Sequence, residues 1–336
     1  MENLLKSLCM IDSTSGDEQN IRDFIIEQIK DYCEYKTDNL GNIIAFKKGK
    51  ARAQRKIMAD AHIDEVGLII TNVTADGFLK FKTVGGIETS SLTCRRVLIN
   101  GKTVGVIGMK PIHLTSGDEG KLMPKADSLY IDIGAADKEE ALEYVNLGDR
   151  AVICSEYTET EDKIKSKALD DRVGCANLIR LIKEYDEYDF YATFTVQEEI
   201  GLRGAKTATF SVEPDAAVIL ETTTAADIDG VPQEKTVCAL GKGVCVSFMD
   251  MTTLYDKAYF DAATNSGLDV QIKSSVTGGN NSGAIHLSKS GVRTITLSVP
   301  CRYIHSASSV ADESDIKAQF ELAKYMISGI ASGKIK

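Results

Sequence analysis

Between about residues 66 and 153 the chain reads as short apolar runs broken by Gly, Asn and Asp, and this stretch limits the fold more than any other. The runs at 67–73, 78–84, 96–100, 102–109 and 129–133 predict strands of a compact barrel or sandwich. A single helix is expected there, at 136–145. On both sides the texture is α/β. Before the stretch, Ile21, Phe24, Ile25 and Ile29 have helical spacing, and strands are expected at 43–46 and 56–61. After it, helices are expected at 171–185, 254–264 and 314–330, and strands at 190–196, 216–220, 270–272 and 292–299. The N-terminal piece has too few strands to fold alone, so it must rejoin the C-terminal half. The expected organisation is a discontinuous α/β domain, residues 1–65 plus 164–336, interrupted by a β-rich domain at 66–163. No internal repeat is visible.

Charge and composition exclude several roles. The net charge of -10 disfavours grip on nucleic acid phosphates or an anionic membrane, so neither partner is expected. The opening MENLLKSLCMIDSTSGDE has a short apolar run broken by Lys6 and Asp12, unlike a signal peptide. No stretch approaches bilayer-spanning length, so a cytoplasmic location is expected. The eight cysteines show no C-x-x-C spacing and read as apolar core residues or free thiols of a reducing compartment.

Five segments place acids or histidines just past apolar strands, or at a helix start, where α/β sites gather. In Ala61-His62-Ile63-Asp64-Glu65, an imidazole can bind a cation while the nearby carboxylate orients the ring. The bland alternative is a packed strand-end His with a solvated Asp. Asp170, in Leu169-Asp170-Asp171-Arg172, sits where a helix N-cap belongs, and capping alone accounts for many such residues. Its two oxygens can bridge two cations only if other ligands converge. Glu198 and Glu199 follow an apolar strand and can divide the work, one binding metal and one taking a proton from water. Glu221 also ends an apolar strand, and His305 lies just beyond the strand at 292–299. Separately these are ordinary loop acids and a surface histidine. Together they suit zinc, cobalt or manganese rather than a thiolate site. No G-x-S-x-G elbow or phosphate loop competes with them.

On these residues the chain resembles the co-catalytic metallopeptidases called glutamyl or tetrahedral (TET) aminopeptidases, some of which carry a cellulase M or endoglucanase label. The resemblance runs almost end to end. It includes Ser15-Gly16-Asp17-Glu18, Asp38-Asn39-Leu40-Gly41-Asn42, the segments around His62 and Asp170, Gln197-Glu198-Glu199-Ile200-Gly201 and Arg302-Tyr303-Ile304-His305-Ser306. It implies a mixed-sheet, zinc-aminopeptidase-like α/β/α sandwich interrupted by a smaller β-barrel-like domain. That smaller domain would build dimers, which assemble further into a tetrahedral dodecamer. It implies two divalent cations, zinc or cobalt first and manganese next, and peptide substrates with a free N-terminus.

By resemblance, His62 binds one metal and Asp64 orients it, while Asp170 bridges both metals. Glu198 is general base and acid, Glu199 and His305 hold the second metal, and Glu221 completes the first. Two departures stand out. Residue 221 is often Asp in the family, which leaves Asp227 as a competing ligand. The usual Gly-Gly-Thr-Asp is Gly278-Gly279-Asn280-Asn281 here. A deacylase or dipeptidase on the same ligands is the nearest rival reading. A glycoside hydrolase gives no reason for His62 and His305. A non-catalytic assembly protein gives none for an intact base and ligand set.

Overall fold

The computed structural model describes residues 2–114 and 124–336. Two helices open the chain, α1 (Glu2–Met10) and α2 (Gln19–Ile29). Ile21, Ile25 and Ile29 of α2 recur every four residues, so all three are buried on one stripe. Strands β1 (Glu34–Thr37), β2 (Ile43–Lys47) and β3 (Ile57–His62) follow, and β3 ends on His62 itself. The next strands, β4 (Gly67–Val73), β5 (Leu79–Val84), β6 (Arg96–Ile99), β7 (Thr103–Gly108) and β8 (Tyr130–Asp132), precede helix α3 (Lys138–Tyr144) and β9 (Arg150–Ile153). Strands β4 to β9 close into a barrel in the order β4-β5-β8-β7-β6-β9. Period-two alternation fills it: Gly105 and Ile107 of β7 are buried, while Val104 and Val106, alternating with them, face outward.

The chain then returns to the large sheet. It forms β10 (Thr158–Glu159), β11 (Lys163–Ser166), α4 (Leu169–Glu184), β12 (Phe190–Thr195), α5 (Arg203–Val212) and β13 (Ala216–Thr224). After these come β14 (Val244–Val246), α6 (Lys257–Thr264), β15 (Val270–Ile272), α7 (Ser282–Ile285), β16 (Arg293–Arg302), β17 (Ser309–Asp312) and α8 (Glu313–Ala331). The sheet order is β1-β2-β12-β3-β13-β16-β17-β11-β10, with β14 pairing β15 and β16. The fold is thus a mixed α/β sheet joined to a closed six-strand barrel, as the barrel texture predicts. Strands β10 and β11 pair toward β17 in the large sheet. The last barrel strand therefore ends at Ile153, and β10 and β11 lead the chain back into the large sheet.

Side chains on one sheet face pack with α1, α2, α4, α6 and α8, and those on the other with α5 and α7. Each fully buried Ile or Leu in these layers contributes about 1.5–3 kcal/mol. Strands β12, β3, β13 and β16 run parallel through the centre. Their register sets the site: Thr195 pairs with His62, and Ile219 pairs with Asp60, which brings Glu221 level with His62. All four strands finish at one edge, where the barrel joins. All eight cysteines are free, five of them buried. Among the described residues no helix is long and apolar enough to cross a membrane.

Candidate active site

At the carboxyl edge of β3, His62 is buried beside two acids distant in sequence, Asp170 at the start of α4 and Glu221 on β13. Its Nε2 lies 3.2 Å from Asp170 Oδ1 and 3.6 Å from Glu221 Oε1. The other oxygen of Asp170, Oδ2, lies 3.2 Å from Nε2 of His305, which is also 3.3 Å from Glu199 Oε1. One carboxylate therefore stands between two imidazoles, each with its own second acid. On the far side of the ring, His62 Nδ1 faces the Asp64 carbonyl at 3.2 Å and Asp64 Oδ1 at 3.5 Å.

Local structure frees these groups. Asp170 and Asp171 have non-helical backbone, and the regular part of α4 starts after them. The backbone N–H of Gly174 donates to Asp171 Oδ1 at 2.9 Å, so Asp171 caps the helix and Asp170 does not. A Cβ at position 174 would lie 2.4 Å from Asp171 Oδ2, so only glycine leaves room for that carboxylate.

Asp64 carries more than the ring. Its Oδ1 accepts from the Glu198 backbone N–H at 2.9 Å, and its Oδ2 from the Glu199 N–H at 3.1 Å and the Ser15 hydroxyl at 2.6 Å. The carboxyl of Glu198 lines the same groove as His62, Asp170 and Glu221, and makes no side-chain hydrogen bond to the described residues. Asp227, the competing acid, is elsewhere. It takes Arg302 in two contacts of 2.8 and 2.7 Å and the Leu240 N–H at 3.1 Å.

The electrostatics describe a surplus of negative charge. Asp64, Asp170, Asp171, Glu198, Glu199 and Glu221 surround two imidazoles, His62 buried and His305 about one third exposed to the groove. Burial lifts Glu221 to about 7, and lifts Glu199, Glu198 and Asp171 as well, the last two well above the ordinary range; neighbouring acids add to each. Burial works to lower His62, but the charge of Glu221 and the bond to Asp170 carry it well above its ordinary value. Burial likewise opposes His305, yet Asp170 and Glu199 raise it to about 11. Asp170 is held well below the carboxylate range, because both imidazoles overcome its burial, and Asp64 is lowered as well, because its bonds to His62, Ser15 and the Glu198 N–H outweigh its burial. Acids pushed up and imidazoles pushed up together mark a pocket that wants positive charge. Asp171 Oδ2 is buried with no hydrogen-bond donor, and the buried Glu199 Oε1 has only His305 Nε2 near it, at 3.3 Å and outside hydrogen-bond geometry. In each of two sets, His62-Asp171-Glu221 and His62-Asp170-Glu199, the donor atoms all lie within 4.8 Å of one another. The donors, nitrogen and oxygen without thiolate, fit zinc, cobalt or manganese.

All seven residues expected from the sequence, His62, Asp64, Asp170, Glu198, Glu199, Glu221 and His305, converge here. Three contributions were not anticipated. Asp171 carries no separate signal in the sequence, where its neighbour Asp170 occupies the expected cap position. Asn42 accepts the Val196 N–H at 2.9 Å and donates to the Gly204 carbonyl at 3.0 Å, thereby holding the turn that carries Glu198 and Glu199. Glu18 accepts from the Gln197 N–H at 3.2 Å on the same turn. The segments 15–18 and 38–42 carried part of the resemblance, and these contacts are their physical reason.

A buried acid–imidazole cluster at the carboxyl edge of a mixed sheet, beside an inserted barrel, defines a metal-dependent hydrolase. A family model described as M42 glutamyl aminopeptidase matches residues 41–322, and the chain belongs to that family. The lysyl aminopeptidase of Pyrococcus furiosus is 31% identical over 337 residues, covering 96% of each chain. The aminopeptidase APDkam598 of Desulfurococcus kamchatkensis superposes with a TM-score of 0.93 at 32% identity, over 99% of this chain and 96% of that one. The TET1 peptidase of Pyrococcus horikoshii, which assembles into a tetrahedron or a large octahedral shell, gives 0.84 at 33% identity over 97% and 98%. This chain is accordingly a metal-dependent aminopeptidase.

Proposed function

We propose that the chain removes N-terminal residues from peptides with two divalent cations, zinc or cobalt before manganese. His62, Asp170 and Glu221 would hold one, and His305, Asp170 and Glu199 the other. The observation that carries this reading is the Asp170 carboxylate, 3.2 Å from an imidazole on each side. When bound, the cations supply Lewis acidity for the scissile carbonyl and lower the pKa of water. The protein's own residues do the rest. Glu198, unheld by any side-chain bond and raised by burial, takes the proton from the attacking water and delivers it to the leaving amine. Asp64 fixes the His62 ring and both glutamate N–H groups, so it sets where base and ligand stand.

The test separates base from ligand. Glu198→Gln is expected to lower kcat on aminoacyl-p-nitroanilides by about 10²–10⁴-fold while metal content is retained. Loss of metal in that variant would make Glu198 a ligand instead. Preference for N-blocked substrates over free amines would turn the reading toward a deacylase.

In this reading residues 1–65 with 164–336 form the catalytic domain, and the barrel is its assembly surface. Outward-facing Val104 and Val106, 49% and 44% exposed, support contact with a second copy there, and the tetrahedral relative supports a closed homo-oligomer. Eight free cysteines support a cytosolic location.

A further inference from the structure

Beyond the acid–imidazole cluster, the catalytic groove continues as a cavity of about 390 Å³. Two charged side chains outside the cluster line it, Asp250 and Lys273. Their circumstances differ. The Asp250 carboxylate is 3% exposed and fully engaged. Oδ1 accepts from the Thr252 N–H at 2.7 Å, the Thr252 hydroxyl at 2.9 Å and the Thr253 N–H at 2.8 Å. Oδ2 accepts from the Tyr255 hydroxyl at 2.6 Å and the Asn280 amide at 3.3 Å. Asp250 therefore shapes its own loop and offers no free oxygen to a ligand.

Lys273 follows β15 directly and is half-buried. Its Nζ donates to one neutral acceptor, the Thr277 carbonyl, at 3.2 Å. It joins no ion pair among the described residues, whereas Lys163, Lys167 and Lys289 each pair with a carboxylate. Among the described groove residues it is the one Lys or Arg. An ammonium with N–H donors to spare, in a partly enclosed wall, gains most from an incoming anion. A basic side chain in the same space would meet a like charge. Family membership leaves this choice open, since the family model is described as glutamyl and one relative as lysyl.

We infer that Lys273 selects peptides whose N-terminal residue carries a side-chain carboxylate. The inference rests on the aminopeptidase reading and names the substrate class for that same groove. Glutamine is the neutral isostere of glutamate, so the comparison of the two isolates the charge. With Glu-, Gln- and Lys-p-nitroanilides, wild-type kcat/KM should favour Glu over Gln by roughly 10- to 100-fold, the range of a hydrogen bond to a charged group. Lys273→Met should bring that ratio toward one, Lys273→Arg should keep the preference, and Lys273→Glu should turn it toward Lys. These substrates have no C-terminal carboxylate, so the effect cannot arise from binding that end of a peptide. A wild-type ratio near one, or an equal fall on Glu and Gln in Lys273→Met, overturns the assignment. Calorimetric titration of the metal-loaded protein with free L-glutamate and L-glutamine reads the same contact without turnover. Inert anilides together with Lys273-dependent preference for glutamate would sink the peptidase reading and keep this one. Equal binding of the two amino acids would sink this one.

Discussion

Asn281 stands where the resemblance noted above expects an aspartate, and its surroundings explain the amide. It is buried, 1% exposed, at the start of α7, and its Nδ2 donates to Asp60 Oδ2 at 2.8 Å and to Thr195 Oγ1 at 2.8 Å. Asp60 also accepts from the Thr193 hydroxyl at 2.5 Å, and burial lifts its carboxyl to about 6. A carboxylate at 281 would put an acceptor where a donor is needed, facing a second acid. One of the two would then keep a proton. Asn281→Asp is expected to destabilise the fold by about 1–3 kcal/mol at neutral pH. The sign with pH follows from linkage: the folded variant binds a proton that the unfolded chain releases near pH 4, so the penalty shrinks as pH falls. Urea midpoints at about pH 7 and pH 5 measure it. A stability difference that does not change with pH would show that the two acids do not share a proton. Asp60 itself gave no signal in the sequence, since an acid inside an apolar strand is read as an edge position. Its partners come from β12 and α7, which no local pattern connects to β3.

The turn between β12 and α5 depends on contacts that reach back to the start of the chain. Gln197 and Leu202 both have left-handed backbone, at φ 56 and 57, and the turn they shape aims Glu198 and Glu199 into the groove. Asn42 ties its two ends together and is itself held by Asp38 Oδ2 at 2.7 Å and Thr207 Oγ1 at 2.8 Å. Gly204 allows this approach, because a Cβ there would meet Asn42 Oδ1 at 2.3 Å. Asn42→Ala strands buried partners and is expected to cost on the order of 2–4 kcal/mol. It should also lower kcat more than it raises KM, because it loosens the base rather than the groove wall. Denaturant midpoints and steady-state kinetics check the two effects, and unchanged kcat would show that the turn holds without Asn42. Elements with a strong period were legible from the sequence: α2, α4, α8, the barrel strands and the central parallel strands. Others were not. Strand β1 is exposed at every position and has no alternation to read. Strands β14 and β17 are short, and β10 and β11 look locally like barrel strands. Their place in the large sheet is decided by pairing with β17, far along the chain.

Across the whole molecule, the site is where separate parts of the chain meet: the end of β3, the start of α4, the turn after β12, β13 and the loop after β16. A cation bound there links them all, so its binding energy is also folding energy. In the cation-free protein that linkage is made by protons instead. His305 holds its proton up to about 11, and His62 is raised well above its ordinary range, each by acids that overcome burial. Ligation needs neutral imidazoles, so uptake of zinc must expel protons, and protons compete with zinc more strongly as pH falls. Zinc at a hundredfold excess over its Kd contributes about 2.7 kcal/mol to the folded state, enough to raise Tm by several degrees in a chain of this size. The increase in Tm on adding zinc to chelator-stripped protein should therefore be larger at about pH 8 than at about pH 6. The heat of binding should vary with the ionisation enthalpy of the buffer, in the direction of proton release. An increase equal at both pH values, with buffer-independent heat, would mean that the cation sits on carboxylates alone and that His62 and His305 are not its ligands.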